Sequence, residues 1–168
     1  MATTIRATML YLIANPRVVQ ILRAEINSTQ LSWPVIAHTE GREMPYLQAV
    51  IKEGLRMWPP IVHLAAKTVP RGGDTFKGIF LPEGTRVSQC LWGLMRRKDI
   101  WGPDADAFRP ERWLEAEPER LKAMLDTADL VFSTGKWQCL GRNIAQMELN
   151  KIFVEVSHGR QVDIHDED

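Results

Sequence analysis

A cysteine stands just ahead of a helical pattern and behind a glycine-containing loop. The stretch runs from Phe132 to Gly141 and reads F-S-T-G-K-W-Q-C-L-G. Free backbone N–H groups and the positive end of the helix dipole favour the thiolate form of a cysteine in this position. A thiolate at Cys139 could attack an electrophile or bind a metal, and the flanking residues favour a metal. Gly135 would allow a turn with positive φ, Gly141 would leave room for a flat group against the helix start, and Phe132 would supply an aromatic wall.

An alternative is that Cys139 is a small buried hydrophobe on a helix, which is the commonest fate of a free cysteine. Taken alone, the two interpretations weigh about evenly. Two further elements decide between them. One is Glu53-Gly54-Leu55-Arg56 within a helical pattern, and the other is Phe108-Arg109-Pro110-Glu111-Arg112-Trp113.

Glu53 and Arg56 are three residues apart and share a helix face. By itself such a pair is usually an exposed ion pair worth a few tenths of a kcal/mol. If a second arginine joined such a pair, the two guanidinium groups and the carboxylate could be buried together only with all their hydrogen bonds made. Breaking a buried network of this kind costs about 3–5 kcal/mol.

In this order, the E-x-x-R element, the F-x-P-E-R-[FW] element and the F-x-x-G-x-x-x-C-x-G stretch resemble the cytochrome P-450 family. The resemblance implies a mainly α fold with small β-sheets, corresponding to the C-terminal portion of that fold in a truncated chain. Residues 1–158 would form that portion. Residues 159–168 would form an acidic tail, expected to be disordered because it has few apolar residues.

The resemblance also implies a haem-thiolate monooxygenase. Haem would be the cofactor with Cys139 as axial ligand, bordered by Phe132, Gly135 and Gly141. An electron-donating reductase and a small apolar organic substrate would be the partners. Lys67 is the candidate for a haem propionate contact. The family's buried ion-pair network would consist of Glu53, Arg56 and Arg112.

One position inside the cysteine stretch departs from the family pattern. The residue two before the sulfur is often arginine or histidine, and here it is Trp137. Lys136 or Arg142 could compensate. His63 could face the substrate, although a structural role is commoner for a histidine in a strand.

Two alternatives to an oxygenase stay open: a truncated, non-catalytic gene product, and a haem-binding module without oxygenase activity. The first predicted helix has no cap, and Thr3 and Thr4 follow no acidic residue, so the family's acid–alcohol pair is not among these residues. Both threonines are expected to be ordinary helix-face residues.

The composition excludes some classes of function. The 168 residues carry no formal net charge, so nothing suggests a nucleic-acid partner. Cys90 and Cys139 are the two cysteines and are far apart, which favours a reducing, intracellular compartment over a disulfide framework. No membrane anchor is visible, whereas longer relatives in nucleated organisms are usually tethered to the endoplasmic reticulum.

The elements that must position these residues follow from hydrophobic periodicity and from Gly and Pro. Helices are predicted at 3–14, from Pro16 to about residue 26, at 45–57, at 117–126 and from Leu140 to His158; strands are predicted at 61–69, 76–81 and 85–91. Residues 27–43 read as a loop, and 92–107 as a short helix followed by a looped stretch. Cys90 falls on a strand pattern and is expected to be inert packing.

Overall fold

The computed structural model describes residues 1–32, 34–62 and 66–158. Within these residues the fold is mainly helical with two small sheets, which confirms the predicted fold class. The helices and strands in chain order are α1 (Ala2–Ala14), α2 (Pro16–Ser28), α3 (His38–Arg42), α4 (Pro45–Met57), β1 (Lys67–Thr68), β2 (Asp74–Phe76), β3 (Ile79–Leu81), β4 (Arg86–Val87), α5 (Leu91–Leu94), α6 (Lys98–Trp101), α7 (Arg112–Glu115), α8 (Pro118–Asp129) and α9 (Arg142–Ser157).

Helix α4 is the centre of the core and matches the predicted helix at 45–57. Pro45 occupies its first turn, where a missing N–H costs nothing. Leu47 and Val50 are fully buried, and the helix contacts α1, α2, α3, α7, α8 and α9. Glu25 of α2 accepts hydrogen bonds from the N–H groups of Tyr46 and Leu47, at 2.9 and 2.8 Å. A side chain from another helix therefore caps α4, which its own sequence could not indicate.

The predicted apolar stripe of α1 is Ile5, Met9, Leu12 and Ile13, of which Leu12 is buried and Ile5 and Met9 pack against the core partly buried. Two threonines of α1 also face the core. Thr4 and Thr8 are buried, whereas Ile13 is 76% exposed. A Cβ added at Gly54 of α4 would lie 2.1 Å from Thr8 Oγ1. The glycine thus permits an approach that only small side chains can make. Both hydroxyls find partners: Thr4 Oγ1 donates to Trp58 O at 2.9 Å, and Thr8 Oγ1 to Thr4 O at 2.8 Å.

The strands are shorter than the sequence predicts. Of the run at 61–69 only Lys67–Thr68 is a strand, and of the run at 85–91 only Arg86–Val87, which pairs with it antiparallel. The predicted strand at 76–81 instead contains the last residue of β2, a two-residue turn and β3, since Lys77 and Gly78 take φ of +50° and +79° and reverse the chain. His63 lies outside the described residues.

Three further predictions need correction. The predicted loop at 27–43 contains the helix α3. Glu40 stabilises the start of this helix by accepting a hydrogen bond from the Ala37 N–H at 2.7 Å. Cys90 is not packed in a strand: it is exposed at the N-cap of α5, where its sulfur accepts the Gly93 N–H at 3.4 Å. In α8, the apolar residues Leu121, Met124 and Leu125 predict the buried side, and Met124 is indeed buried, but Leu125 is 38% exposed.

The apolar period of α9 predicts a buried face that includes Ile144, Ala145, Leu149 and Val156, and the structure buries only part of that face. Ala145, Leu149 and Phe153 enter the core, whereas Ile144 and Val156 are more than half exposed. The acidic tail at 159–168 lies outside the described residues. Searching the described ranges finds no helix with the length and hydropathy needed to cross a membrane.

Candidate functional site

The loop that carries Cys139 is anchored at one end and strained in the middle. A 3-10 turn at Leu130–Phe132 holds Phe132 in the core at 5% exposure. Ser133 then takes φ +58°, and Gly135 takes φ +60°. The positive φ predicted at Gly135 is confirmed, but the one at Ser133 was not foreseen. A non-glycine residue in this region costs roughly 1–3 kcal/mol and persists where the surrounding structure imposes it, often at functional sites.

Cys139 lies at the end of this loop, three residues before α9 begins. Its backbone N–H donates to Phe132 O at 2.8 Å, which closes the loop on its buried anchor. Its side chain is a free, exposed thiol. Gly141 is the N-cap of α9, and a Cβ added there would lie 3.8 Å from Cys139 Sγ. The glycine therefore keeps the space beside the sulfur open.

The residues next to the sulfur in sequence present apolar surface to solvent. Leu140 is fully exposed, Ile144 is 59% exposed and Trp137 is 56% exposed. Scattered exposed apolar residues are ordinary, but three within eight positions around a free thiol form a patch. Such a patch suits a large, flat, apolar ligand.

Three cations accompany the patch. The Lys67 ammonium lies 4.2 Å from the centroid of the Trp137 ring, and the Lys136 ammonium lies 5.2 Å from the same centroid. Over the ranges that the structure describes, no carboxylate forms an ion pair with Lys67. Arg142 is already engaged, because it pairs with Asp129 Oδ1 at 2.7 Å. Lys67 and Lys136 are therefore the cations available to an anionic ligand.

A cavity of about 390 Å³ lies between the β1–β4 strand pair and the cysteine loop. Its walls include Ile61, Lys67, Val87, Ser133 and Trp137. Its size falls within the usual range for small-molecule sites. Lys67, distant in sequence, is thus brought to the loop that carries Cys139.

The second cluster is a buried ion-pair network centred on Glu53 of α4. Glu53 and Arg56 are fully buried, and Arg112 is 2% exposed. Arg56 reaches both carboxylate oxygens of Glu53, at 2.8 and 2.9 Å, and Arg112 Nε donates to Oε1 at 3.0 Å. The three residues named from sequence are thus in direct contact.

Both guanidinium groups have all their donors satisfied. The remaining Arg56 donors reach the carbonyls of Met95, Ala105 and Ala107 at 2.6 to 3.0 Å. Arg112 reaches the carbonyls of Trp101, Asp104 and Ala107 at 2.7 to 3.1 Å. Since these carbonyls belong to short helices and loops between 94 and 107, the network clamps an irregular segment to α4.

Sequence reasoning missed three donors and acceptors of the network. Trp113 Nε1 donates to Glu53 Oε2 at 3.0 Å, and the Arg109 N–H donates to Oε1 at 2.9 Å. Asp104 accepts from Arg109 Nε at 2.6 Å and from Arg112 Nη1 at 3.1 Å. Burial alone would raise the pKa of Asp104, but the hydrogen bonds from Arg109 and Arg112 outweigh it and lower that pKa overall. The tryptophan was already visible in the F-R-P-E-R-W element.

The predicted site residues therefore form two groups. Phe132, Gly135, Cys139 and Gly141 share one loop with Lys67 close by, and Glu53, Arg56 and Arg112 form a separate structural cluster. Among the residues the structure describes, no group of three or more His, Cys, Asp or Glu side chains could hold a metal ion.

Comparison with known proteins identifies what the chain resembles. The family model described as Cytochrome P450 matches residues 1–158. Cytochrome P450 monooxygenase ABA1 of Pyricularia oryzae is 43% identical over 159 residues, covering 92% of this chain and 31% of that protein. Pisatin demethylase of Fusarium vanettenii is 37% identical over 164 residues, covering 98% and 31%. The chain thus spans about a third of the length of the curated relatives it matches.

Proposed function

The chain belongs to the cytochrome P450 family, and from this membership we propose that Cys139 binds the iron of a haem used for monooxygenation. The family implies a haem with a cysteine ligand. The observation that carries the assignment to this residue is the exposed Cys139 thiol, presented by a strained loop at the start of α9.

The residues present fit a haem. Haem is flat and mostly apolar with two carboxylates at one edge, and the Cys139 region offers exposed apolar side chains, a glycine beside the sulfur and two lysines without acidic partners among the described residues. Phe132, Gly135 and Gly141 would border the macrocycle. Lys67, held over Trp137, would meet a carboxylate as a point charge. When bound, haem supplies dioxygen binding and activation.

The chain's own residues hold and tune the cofactor. Backbone N–H groups at the start of α9 would donate hydrogen bonds toward the Cys139 sulfur and stabilise its anion. The network around Glu53 fixes the segment between 94 and 112, which supports α8 and the loop that follows it. In this division the protein orients the cofactor and shields it, and the cofactor performs the oxidation.

The wider activity also belongs to the proposal, because the relatives are about three times longer. Residues 1–158 would act as the C-terminal part of a P450 domain, and residues 159–168 would lie outside that domain. The substrate would be a small apolar organic molecule, and the electrons would come from a reductase. Membership in the family supports an organic substrate and a redox partner.

One experiment separates this proposal from its alternatives. The purified chain is mixed with haem, reduced under carbon monoxide and examined in the Soret region. A thiolate-type red shift supports the proposal, and a histidine-type position would indicate a different ligand. Failure to bind haem would favour a non-catalytic gene product. A thiolate spectrum without reductase-dependent product formation would favour a haem-binding module.

A further inference from the structure

Ser133 has a backbone conformation that serine rarely adopts. Its φ is +58° and its ψ is −179°, a combination found essentially only at glycine. Glycine would take this conformation without strain, because it has no Cβ. A serine at this position therefore lowers the stability of the loop relative to a glycine, and local stability does not explain its presence.

The loop imposes this conformation from both sides. The Ser133 N–H donates to Leu130 O at 2.9 Å in the preceding turn, and the Cys139 N–H donates to Phe132 O at 2.8 Å across the loop. Phe132 is itself buried in the core. The backbone is thus held at position 133 whichever residue stands there, and it gives no reason for a serine.

The Ser133 side chain does not stabilise the fold through a contact of its own. The residue is half-buried, and its hydroxyl makes no hydrogen bond with any residue that the structure describes. By contrast, the buried hydroxyls of Thr4 and Thr8 each donate to a carbonyl. Ser133 lines the cavity between the β1–β4 pair and the cysteine loop, so its hydroxyl is a donor available to a ligand there.

The same cavity favours an anionic group. Lys67 also lines it, with its ammonium 4.2 Å from the Trp137 ring centroid, and none of the described residues that line it is acidic. A lysine ammonium attracts a carboxylate as a point charge but orients it weakly, because its three donors rotate on a flexible stem. A hydroxyl carried by a fixed loop adds the missing direction.

From this combination we propose that the Ser133 hydroxyl donates a hydrogen bond to the haem carboxylate that Lys67 attracts. The inference rests on the proposed function, since haem is the ligand. Hydrogen bonds to a carboxylate are stronger than those between neutral groups, so one such bond offsets backbone strain. Serine at position 133 thus lowers the stability of the haem-free chain and raises its affinity for haem.

Two substitutions separate the hydroxyl from the strain. Ser133→Ala removes only the hydroxyl, whereas Ser133→Gly removes the hydroxyl and the strain together. In absorbance titrations both should weaken the binding of haem about tenfold, which is the order of a hydrogen bond to a charged group. Both should weaken the binding of haem dimethyl ester far less, because an ester carries no charge. In urea unfolding of the haem-free chain, Ser133→Gly should raise the midpoint and Ser133→Ala should leave it unchanged.

The matched control is Thr134→Ala. Thr134 is the next residue and also lines the cavity, but its φ of −139° and ψ of 163° are ordinary for an extended residue. Its hydroxyl therefore needs no functional explanation. The control should bind haem and haem dimethyl ester as the parent does, and it should unfold at the same urea concentration.

Three results would overturn the proposal. The first is an affinity for haem in Ser133→Ala equal to that of the parent. The second is an equal loss with haem and with its dimethyl ester, which would mean that the substitution disturbs the loop and not a carboxylate contact. The third is a loss in Thr134→Ala as large as that in Ser133→Ala.

The Soret band of the parent chain, reduced under carbon monoxide, distinguishes failure of this inference from failure of the proposed function. A thiolate-type band with both haem and its dimethyl ester supports Cys139 as the iron ligand whatever the Ser133 variants show. Binding of both ligands without that band would reject the iron ligand, and the titrations would still decide the Ser133 contact. If the parent binds neither ligand, both proposals fail.

Discussion

Replacing Glu53 by glutamine should destabilise the fold strongly while leaving its shape almost unchanged. The carboxylate is fully buried and accepts five hydrogen bonds, from Arg56, Arg112, Arg109 and Trp113. Two donors point at Oε2 and three at Oε1. Whichever way the amide turns, its NH₂ group must face at least two N–H donors, and two buried guanidinium groups lose their shared anion.

The size of the effect follows from the partners that remain. Arg112 keeps Asp104 as an anionic partner at 3.1 Å, whereas the remaining Arg56 oxygen partners are the backbone carbonyls of Met95, Ala105 and Ala107. Leaving a buried charge without its partner costs about 3–5 kcal/mol, against a total stability of about 5–15 kcal/mol for a typical domain. For a chain of this size, that loss corresponds to a fall in Tm of about 6–20 °C.

Urea unfolding followed by circular dichroism measures this loss. The matched control is Glu115→Gln, because Glu115 also pairs with an arginine, at 2.6 Å, but its side chain is 62% exposed. The control should change the free energy of unfolding by less than about 1 kcal/mol. If Glu53→Gln also lost less than about 1 kcal/mol, the network would not stabilise the fold as its geometry indicates.

Three other changes test separate parts of the structure. Gly54→Ala should lower the free energy of unfolding in urea by about 1–3 kcal/mol, because the added Cβ would meet Thr8 Oγ1. Adding Thr8→Ala should restore part of that loss. An unchanged midpoint of urea unfolding in Gly54→Ala would contradict the close approach of α1 to α4. The lowered pKa of Asp104 means that its contribution to stability is present above its ordinary pKa of 3.8 and is lost as pH falls through the folded-state value. In Asp104→Asn, the free energy of unfolding should therefore fall less steeply as the pH is lowered than it does in the parent. The same acid dependence in both proteins would contradict this role of Asp104. In an absorbance titration, Lys67→Met should weaken the binding of haem but not the binding of haem dimethyl ester, and the control Lys77→Met should affect neither. If Lys67→Met weakened the binding of both ligands equally, a contact between Lys67 and a haem carboxylate would be excluded.

The helices with proline at their start could be predicted because the signals are local. Pro16 and Pro45 begin α2 and α4 where expected, and the apolar period of α4 matches its buried face. The site residues could also be named from local patterns. Cys139 and its flanking glycines, the E-x-x-R element and the F-R-P-E-R-W element each have the residue spacing of a family motif. The strands could not be placed as well, since the stretch 76–81 has a strand-like composition but reverses at Lys77 and Gly78.

Contacts between distant segments could not be predicted from the residue pattern of either segment alone. Nothing in α1 shows that Thr8 would face Gly54, because a threonine stripe reads as polar surface until its partner helix is known. Similarly, the pairing of Lys67 with Trp137 depends on how β1 lies against the cysteine loop. Contacts near in sequence could thus be predicted from local patterns, whereas the one distant contact that was predicted, between Glu53 and Arg112, came from the family resemblance.

The most direct test of the haem proposal compares Cys139→Ser with Cys90→Ser. Both positions are exposed free thiols, and they are the only two cysteines in the chain, so each controls for the loss of a sulfur. After mixing with haem and reduction under carbon monoxide, Cys90→Ser should keep the parent's thiolate-type Soret band and Cys139→Ser should lose it. A thiolate-type band that survives Cys139→Ser, or one that disappears with Cys90→Ser, would contradict the assignment of Cys139 as the iron ligand.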